Sequence, residues 1–299
     1  MKTATQKDYE ERILRVLVHV QNSLDSVLVL DELAAIANFS PFHFHRVFRG
    51  MVGEPVSEHI RRLRLERAAH RLKCTEQPVA RLAFEAGFET HESFTRAFKT
   101  MFGESPSVFR EQRRIAPAPS TPSGVHYAPN GALESFDPVD TGGVSMDVRI
   151  EEVKQMNAAF MRHVGPYNQV GETWGKLCGF AGMKGLFGPD TAMLGVCHDD
   201  PEVTPAEKIR YDACMTVADG FQPEGEVGVQ RIGGGRYAIT THRGPYEKLG
   251  ETYAALMGQW LPANGYEPSS GPSLEFYRND PNTTAPENLI TDVYVPLKS

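Results

Sequence analysis

The sequence predicts two domains of different class: an all-α half with tandem helix-turn-helix units, then an α+β half of two pseudo-symmetric strand-helix modules. Three observations carry that reading. A proline- and glycine-rich break interrupts the 299 residues, the hydrophobic period changes across it, and each side holds an internal repeat with its own spacing. The break is the stretch 116–145, APAPSTPSGVHYAPNGALESFDPVDTGGVS. Proline there removes amide donors and glycine raises the entropic cost of order, so it reads as a linker between domains at 1–115 and 146–299.

The net charge of −7 disfavours a nucleic-acid partner only as an average over the whole chain. Residues 1–115 hold 18 Lys and Arg against 15 Asp and Glu, whereas the remainder holds 13 against 23. The first half is therefore mildly basic and the second strongly acidic. Four cysteines, at 74, 178, 197 and 214, form neither a disulfide framework nor paired metal-binding spacing. No apolar run approaches the roughly 20 residues needed to cross a bilayer, and the expectation is a cytoplasmic protein with no membrane partner, metal or cofactor.

In the first half, Phe44, Arg46, Phe48, Gly53 and Glu54 recur as Phe94, Arg96, Phe98, Gly103 and Glu104. Each copy reads as a short helix, a turn and a second helix. LDELAAIANF is the first support helix, and Ser40-Pro41 then supplies a capping oxygen and a ring that needs no amide partner. In the helix that follows, Phe44, Val47 and Phe48 form one apolar face, leaving Phe42, His45, Arg46 and Arg49 to other faces. The second copy repeats this with VARLAFEAG and THESFTRAFKTMF. There Phe94, Ala97, Phe98 and Met101 face inward and His91, Glu92, Thr95, Arg96 and Lys99 outward. Between the copies, SEHIRRLRLERAAHRL predicts a rigid spacer helix. Two such units on a spacer suit successive major-groove faces about 34–36 Å apart on double-stranded DNA.

Residues 28–113 resemble the AraC/XylS DNA-binding domain over its whole length. The matching motifs are LxxxA at Leu30–Ala34, FxRxFxxxxGxP at Phe44–Pro55, RLxxA at Arg64–Ala68, AxxxGF at Ala83–Phe88 and FxRxFKxxFGxSPSxFR at Phe94–Arg110. The resemblance implies that Phe42, His45, Arg46, His91, Glu92, Thr95 and Arg96 read bases, with RNA polymerase as a further partner. Phe42 departs from the pattern by offering no hydrogen bond, and Glu92 by its charge.

In the second half MDVRIEEV, RYAITTHRG, LEFYR and ITDVYVPL read as strands. Gly165-Pro166-Tyr167 with Gly171-Glu172-Thr173-Trp174 recurs as Gly244-Pro245-Tyr246 with Gly250-Glu251-Thr252-Tyr253. Each copy predicts a strand end, a Gly-Pro turn and entry to a helix, and the pair predicts a groove between two helices. Tyr167, Trp174, Tyr246, Tyr253, Trp260, Phe276 and Tyr277 are candidates to line it.

Residues 146–298 resemble the GyrI-like effector-binding domain, on the duplicated GPY modules and the ending LEFYRNDPNTTAPENLITDVYVPL. The resemblance implies an apolar, aromatic-walled pocket with a buried acid, matched by Glu275, that takes hydrophobic or cationic small molecules. The expected whole is a ligand-modulated transcriptional regulator rather than an enzyme. Two alternatives stay open: hydrolysis with Glu275 and Tyr246 or Tyr253 as base and orienting hydroxyl, and a module that only contacts another protein.

Overall fold

The repeated serine, threonine and glycine positions of the first half are helix caps. In the computed structural model, which describes residues 2–112, 120–139, 146–201 and 204–298, helix α3 (Pro41–Val52) starts where Ser40 Oγ accepts from the His43 amide. Helix α6 (His91–Phe102) starts where Thr90 Oγ1 accepts from the Ser93 amide. Both stop at a glycine in the left-handed region, Gly53 and Gly103, each at φ 82°. Their amides bond Arg49 O and Lys99 O, so the repeated glycine is required by the turn.

The chain divides into two compact units, Gln6–Gly142 and Gly143–Ser299 with Met1–Thr5. The helical unit adds α1 (Ala4–Asn22), α2 (Leu30–Ile36), α4 (Val56–Cys74), α5 (Val79–Glu85) and α7 (Pro106–Gln112). Asn38 at φ 53° and Gly87 at φ 80° turn the chain inside the two helix-turn-helix pairs. Helix α4 joins them: Leu65, Ala68, Ala69 and Leu72 share a core with Leu82, Ala83, Phe94, Phe98 and Phe109.

The α4 arginines serve that scaffold. Arg64 and Arg67 donate to carbonyls of the loop after α1, Leu24 and Ser26, and Arg67 also to Glu85 O. Arg62 is buried between Glu54 and Glu66.

Of the stretch 116–145 read as a linker, 116–119 and 140–145 lie outside the described residues. Residues 120–139 are seated on the helical unit. Val125 and Ser123 are buried, Arg62 donates to Val125 O, and Gln21 donates to His126 O while accepting from the Ala128 amide. Tyr127 N donates to Glu66, and Val139 N donates to Met51 O. These backbone groups of a stretch that composition marks as a linker are met by α1, α3 and α4.

Among the described residues the second unit forms one antiparallel sheet of eight strands, in the order β1-β6-β8-β7-β3-β4-β2-β5. Four of them match the expected runs: β1 (Val148–Val153), β6 (Gly235–Arg243), β7 (Ser273–Tyr277) and β8 (Ile290–Pro296). The others are β2 (Met156–Val164), β3 (Met193–Cys197), β4 (Arg210–Thr216) and β5 (Gly228–Ile232). Helix α8 (Val170–Lys184) follows β2, and α9 (Leu249–Ala255), continued by a π turn over Leu256–Trp260, follows β6.

The repeated modules have a hydrogen-bond reason. His163 Nε2 meets Pro166 O at 3.1 Å and His242 Nε2 meets Pro245 O at 3.2 Å. A carbonyl only accepts, so Nε2 carries the proton in both. The other ring nitrogens bond Thr173 and Thr252, the threonines of the recurring Gly-Glu-Thr. Gly165 and Gly244, at φ 146° and 127°, make the turns that bring each helix back to its histidine. Among the described residues no helix is long and apolar enough to cross a membrane.

Candidate nucleic-acid interface and ligand site

Helix α6 separates its faces cleanly. Phe94 and Phe98 are fully buried, whereas His91, Glu92, Arg96 and Lys99 are exposed. Thr95 is half-buried with its hydroxyl oxygen turned inward, so its outward group is carbon. One exposed row thus offers a guanidinium, an ammonium, an imidazole and a carboxylate.

Helix α3 differs. His45 and Arg46, expected to face outward, are buried, and Phe42 and Arg49 are half-buried. The Arg46 guanidinium lies 4.0 Å from the centre of the Phe42 ring, so two of the expected readers contact each other through a cation–π stack. The hydrogen-bond deficit of Phe42 noted from sequence acquires a use here as a platform for the arginine.

In the sheet unit, alternation along β7 sends Leu274 and Phe276 to one face and Glu275 and Tyr277 to the other. Glu275 is buried. Tyr253, from α9, donates to its Oε1 at 3.0 Å, and Tyr277 donates to its Oε2 at 3.0 Å. Tyr277 in turn lies 2.8 Å from the hydroxyl of Tyr211, which accepts from Trp174 Nε1 at 3.1 Å. Rings of Tyr246 and Trp174 meet Tyr277 edge-on at 5.5 and 5.7 Å, and Tyr167 meets Tyr211 at 5.5 Å while its hydroxyl donates to Asp199 O.

Burial pushes the Tyr211 and Tyr277 phenols far above their ordinary range, with the Glu275 charge adding to it. Burial also raises Tyr246. These hydroxyls are therefore neutral donors throughout the physiological range. The cation nearest in sequence, Arg278, pairs with Asp292 at 2.8 Å. Among the described residues no Lys, Arg or His pairs with Glu275.

Six of the eight residues read from sequence as lining the groove or contacting the ligand, Tyr167, Trp174, Tyr246, Tyr253, Glu275 and Tyr277, belong to this one network, whereas Phe276 lies on the opposite face of β7, packed with Leu274 and Tyr294. Trp260 has a different partner, stacking on Tyr266 at 5.8 Å with planes 5° apart. Tyr211 was missed. Its signal was a third part of the repeat: His198, Asp200-Pro201 and Tyr211-Asp212 recur as Arg278, Asp280-Pro281 and Thr291-Asp292. The structure uses it symmetrically, since Asp212 is held by Arg162 and His198 as Asp292 is by Arg278 and Thr241.

Residues 146–298 match the family described as GyrI-like small molecule binding domain, and residues 33–112 match a helix-turn-helix domain. The right origin-binding protein of Escherichia coli (strain K12) is 24% identical over 293 residues, covering 95% of this chain and 96% of that protein. The transcriptional regulator Rob of Salmonella typhimurium is 24% identical over 294 residues, with the same coverage. The crystal structure of the EcmrR C-terminal domain is similar over 52% of this chain and 99% of that one, at 21% identity and a TM-score of 0.43.

Proposed function

The chain belongs to the GyrI-like small-molecule-binding family and joins that domain to an AraC-type helix-turn-helix domain; on that premise we propose that it is a cytoplasmic transcription factor sensing a hydrophobic cation. The observation that carries the ligand class is Glu275: a carboxylate buried among aromatic rings and neutral hydroxyls, with no cation against it among the described residues. A weakly hydrated cation gains there from the carboxylate at low local dielectric and from the ring faces of Tyr246, Tyr277 and Trp174. Regulation rather than hydrolysis is the use of this site. Both Glu275 oxygens are engaged by tyrosine hydroxyls, and the domain that holds them is joined to a DNA-binding half.

Helix α6 reads the bases, with Arg96 suited to guanine, Glu92 to the cytosine amine, the Thr95 methyl to thymine, and His91 and Lys99 to the flanking backbone. Reading by Phe42, His45, Arg46 and Arg49 requires that the buried face of α3 become accessible. RNA polymerase is the partner through which bound DNA is put to use.

The test is binding of the full chain to its own upstream DNA at fixed salt, with and without tetraphenylphosphonium. A ligand-dependent shift in affinity is expected. Sequence-specific binding indifferent to hydrophobic cations, or product formation from them, overturns the sensing role. Arg96→Ala is expected to weaken specific over random DNA by about 1–3 kcal/mol without changing the thermal unfolding of the chain, since Arg96 is exposed. An unchanged operator affinity by fluorescence anisotropy refutes the α6 assignment.

A further inference from the structure

The two modules of the sheet meet at β3 and β7, where Gly195 pairs with Glu275. These two residues are also equivalents in the repeat. Leu194-Gly195 precedes His198 and Asp200-Pro201 as Leu274-Glu275 precedes Arg278 and Asp280-Pro281. The pseudo-twofold axis therefore passes through this pair. Directly opposed residues on adjacent strands bring their Cβ atoms within about 5 Å, so two full side chains here would compete for one space.

The conflict is resolved by a glycine. A Cβ on Gly195 would lie 2.5 Å from both Cε2 and Oη of Tyr211, closer than real contacts allow. Tyr211, fully buried, occupies that space with its ring. Its own repeat equivalent is Thr291, too short to do the same on the other side. The module that lacks the acid thus fills the vacated half of the site with an internal ring.

The ring's hydroxyl sets the direction of a chain of bonds. A phenol has one proton. Tyr277 gives its proton to Glu275, so at the 2.8 Å contact it must accept from Tyr211, and Tyr211 in turn accepts from the donor-only Trp174 indole. Each donor polarises the next, ending on the carboxylate.

We propose that Gly195 and Tyr211 are positioning residues for the ligand site: Gly195 leaves the space in which Tyr211 lies across the sheet, and Tyr211 aims the Tyr277 hydroxyl at Glu275. The carboxylate is then fixed in one orientation, with its remaining lone pairs and its charge directed at a single cationic centre. The inference rests on the cation-sensing reading above.

The experiment uses the full chain and two probes of equal shape, benzyltrimethylammonium and its neutral isostere neopentylbenzene, titrated by calorimetry. The quantity read is the ratio of their affinities. Glu275→Gln is expected to erase the preference for the cation. Tyr211→Phe keeps the ring and removes the hydroxyl. It is expected to lower the ratio about three- to tenfold, as for one lost hydrogen bond, while leaving neopentylbenzene unchanged. Loss of the Trp174 acceptor should also shift tryptophan emission. Gly195→Ala displaces the ring and is expected to lower the ratio as far, with no further loss in the double variant. A merely structural role would weaken both probes alike, and that result overturns the proposal. If Glu275→Gln erases the preference while Tyr211→Phe leaves it intact, the positioning role fails and the ligand site stands. If Glu275→Gln leaves the preference intact, the ligand-site reading itself fails. Should Gly195→Ala not fold, Tyr211→Phe decides.

Discussion

Glu275→Gln is expected to weaken tetraphenylphosphonium binding by about 30-fold or more, because truncating one partner of a buried charge pair costs at least about 2 kcal/mol. Glutamine preserves shape and its one oxygen can still accept from one tyrosine hydroxyl, so the fold and the aromatic contacts of Tyr246 and Trp174 persist while the charge and one of the two accepted bonds are lost. The consequence for DNA follows from linkage. A ligand shifts an equilibrium only by its differential affinity for the two states, so the variant should bind operator as the parent does without ligand and lose the response when ligand is added. Calorimetry for the ligand and anisotropy for the operator, at one salt concentration, check both halves. Retained affinity for the cation would move the recognition to the aromatic rings alone.

Much of this was legible from the residues, and what was not has particular physical reasons. The helix pairs announced themselves because capping oxygens, αL glycines and 3.6-residue periodicity are local: Ser40, Gly53, Thr90 and Gly103 act within one turn of where they stand. Strands β1, β6, β7 and β8 were visible as β-branched runs. Strands β3 and β4 were not, since MLGVC and RYDACMT pair non-local partners and carry the glycine and the aspartate that the site, rather than the strand, demands. The cluster around Glu275 was legible as a set of aromatics but not as a directed chain, because its middle member, Tyr211, lies outside the GPY motif. Arg46 looked outward by helical phase, yet phase says nothing of a neighbour such as Phe42 that takes the guanidinium over its ring. The stretch 120–139 shows the converse. Its composition is that of an unpacked tether, but backbone amides need only acceptors, and Glu66 and Gln21 supply them.

The same seat makes Arg62 the residue whose loss should cost the helical unit most. Its guanidinium bonds Glu54 at the α3–α4 corner at 2.5 and 3.2 Å, Glu66 one turn along α4 at 2.8 Å, and Val125 O of the strap formed by residues 120–139 at 2.9 Å. It thereby ties the α3–α4 corner and α4 to a residue 63 positions further along the chain. Arg62→Ala leaves two carboxylates without their shared cation and should destabilise by about 3–5 kcal/mol, a large part of the 5–15 typical of a domain. Arg62→Lys should recover little, for an ammonium cannot present a fork to Glu54 while reaching Glu66. Acid acts on the same contact. Burial by itself would raise the Glu54 carboxyl, but hydrogen bonds from His59 and Arg62 and the Arg62 charge outweigh it and hold it at about 2, against an ordinary 4.5. A carboxyl depressed on folding contributes stability that is present above its unfolded value and lost as the proton returns, here as pH falls from about 4.5 to about 2. Thermal unfolding followed at the helical band should therefore drop through that window in the parent. In Glu54→Gln the corresponding slope should flatten, and in Arg62→Ala the transition should already be low at pH 7, with operator binding lost alongside it. An Arg62→Ala chain that melts and binds like the parent would mean that Gln21 and Glu66 seat the strap without help from the guanidinium.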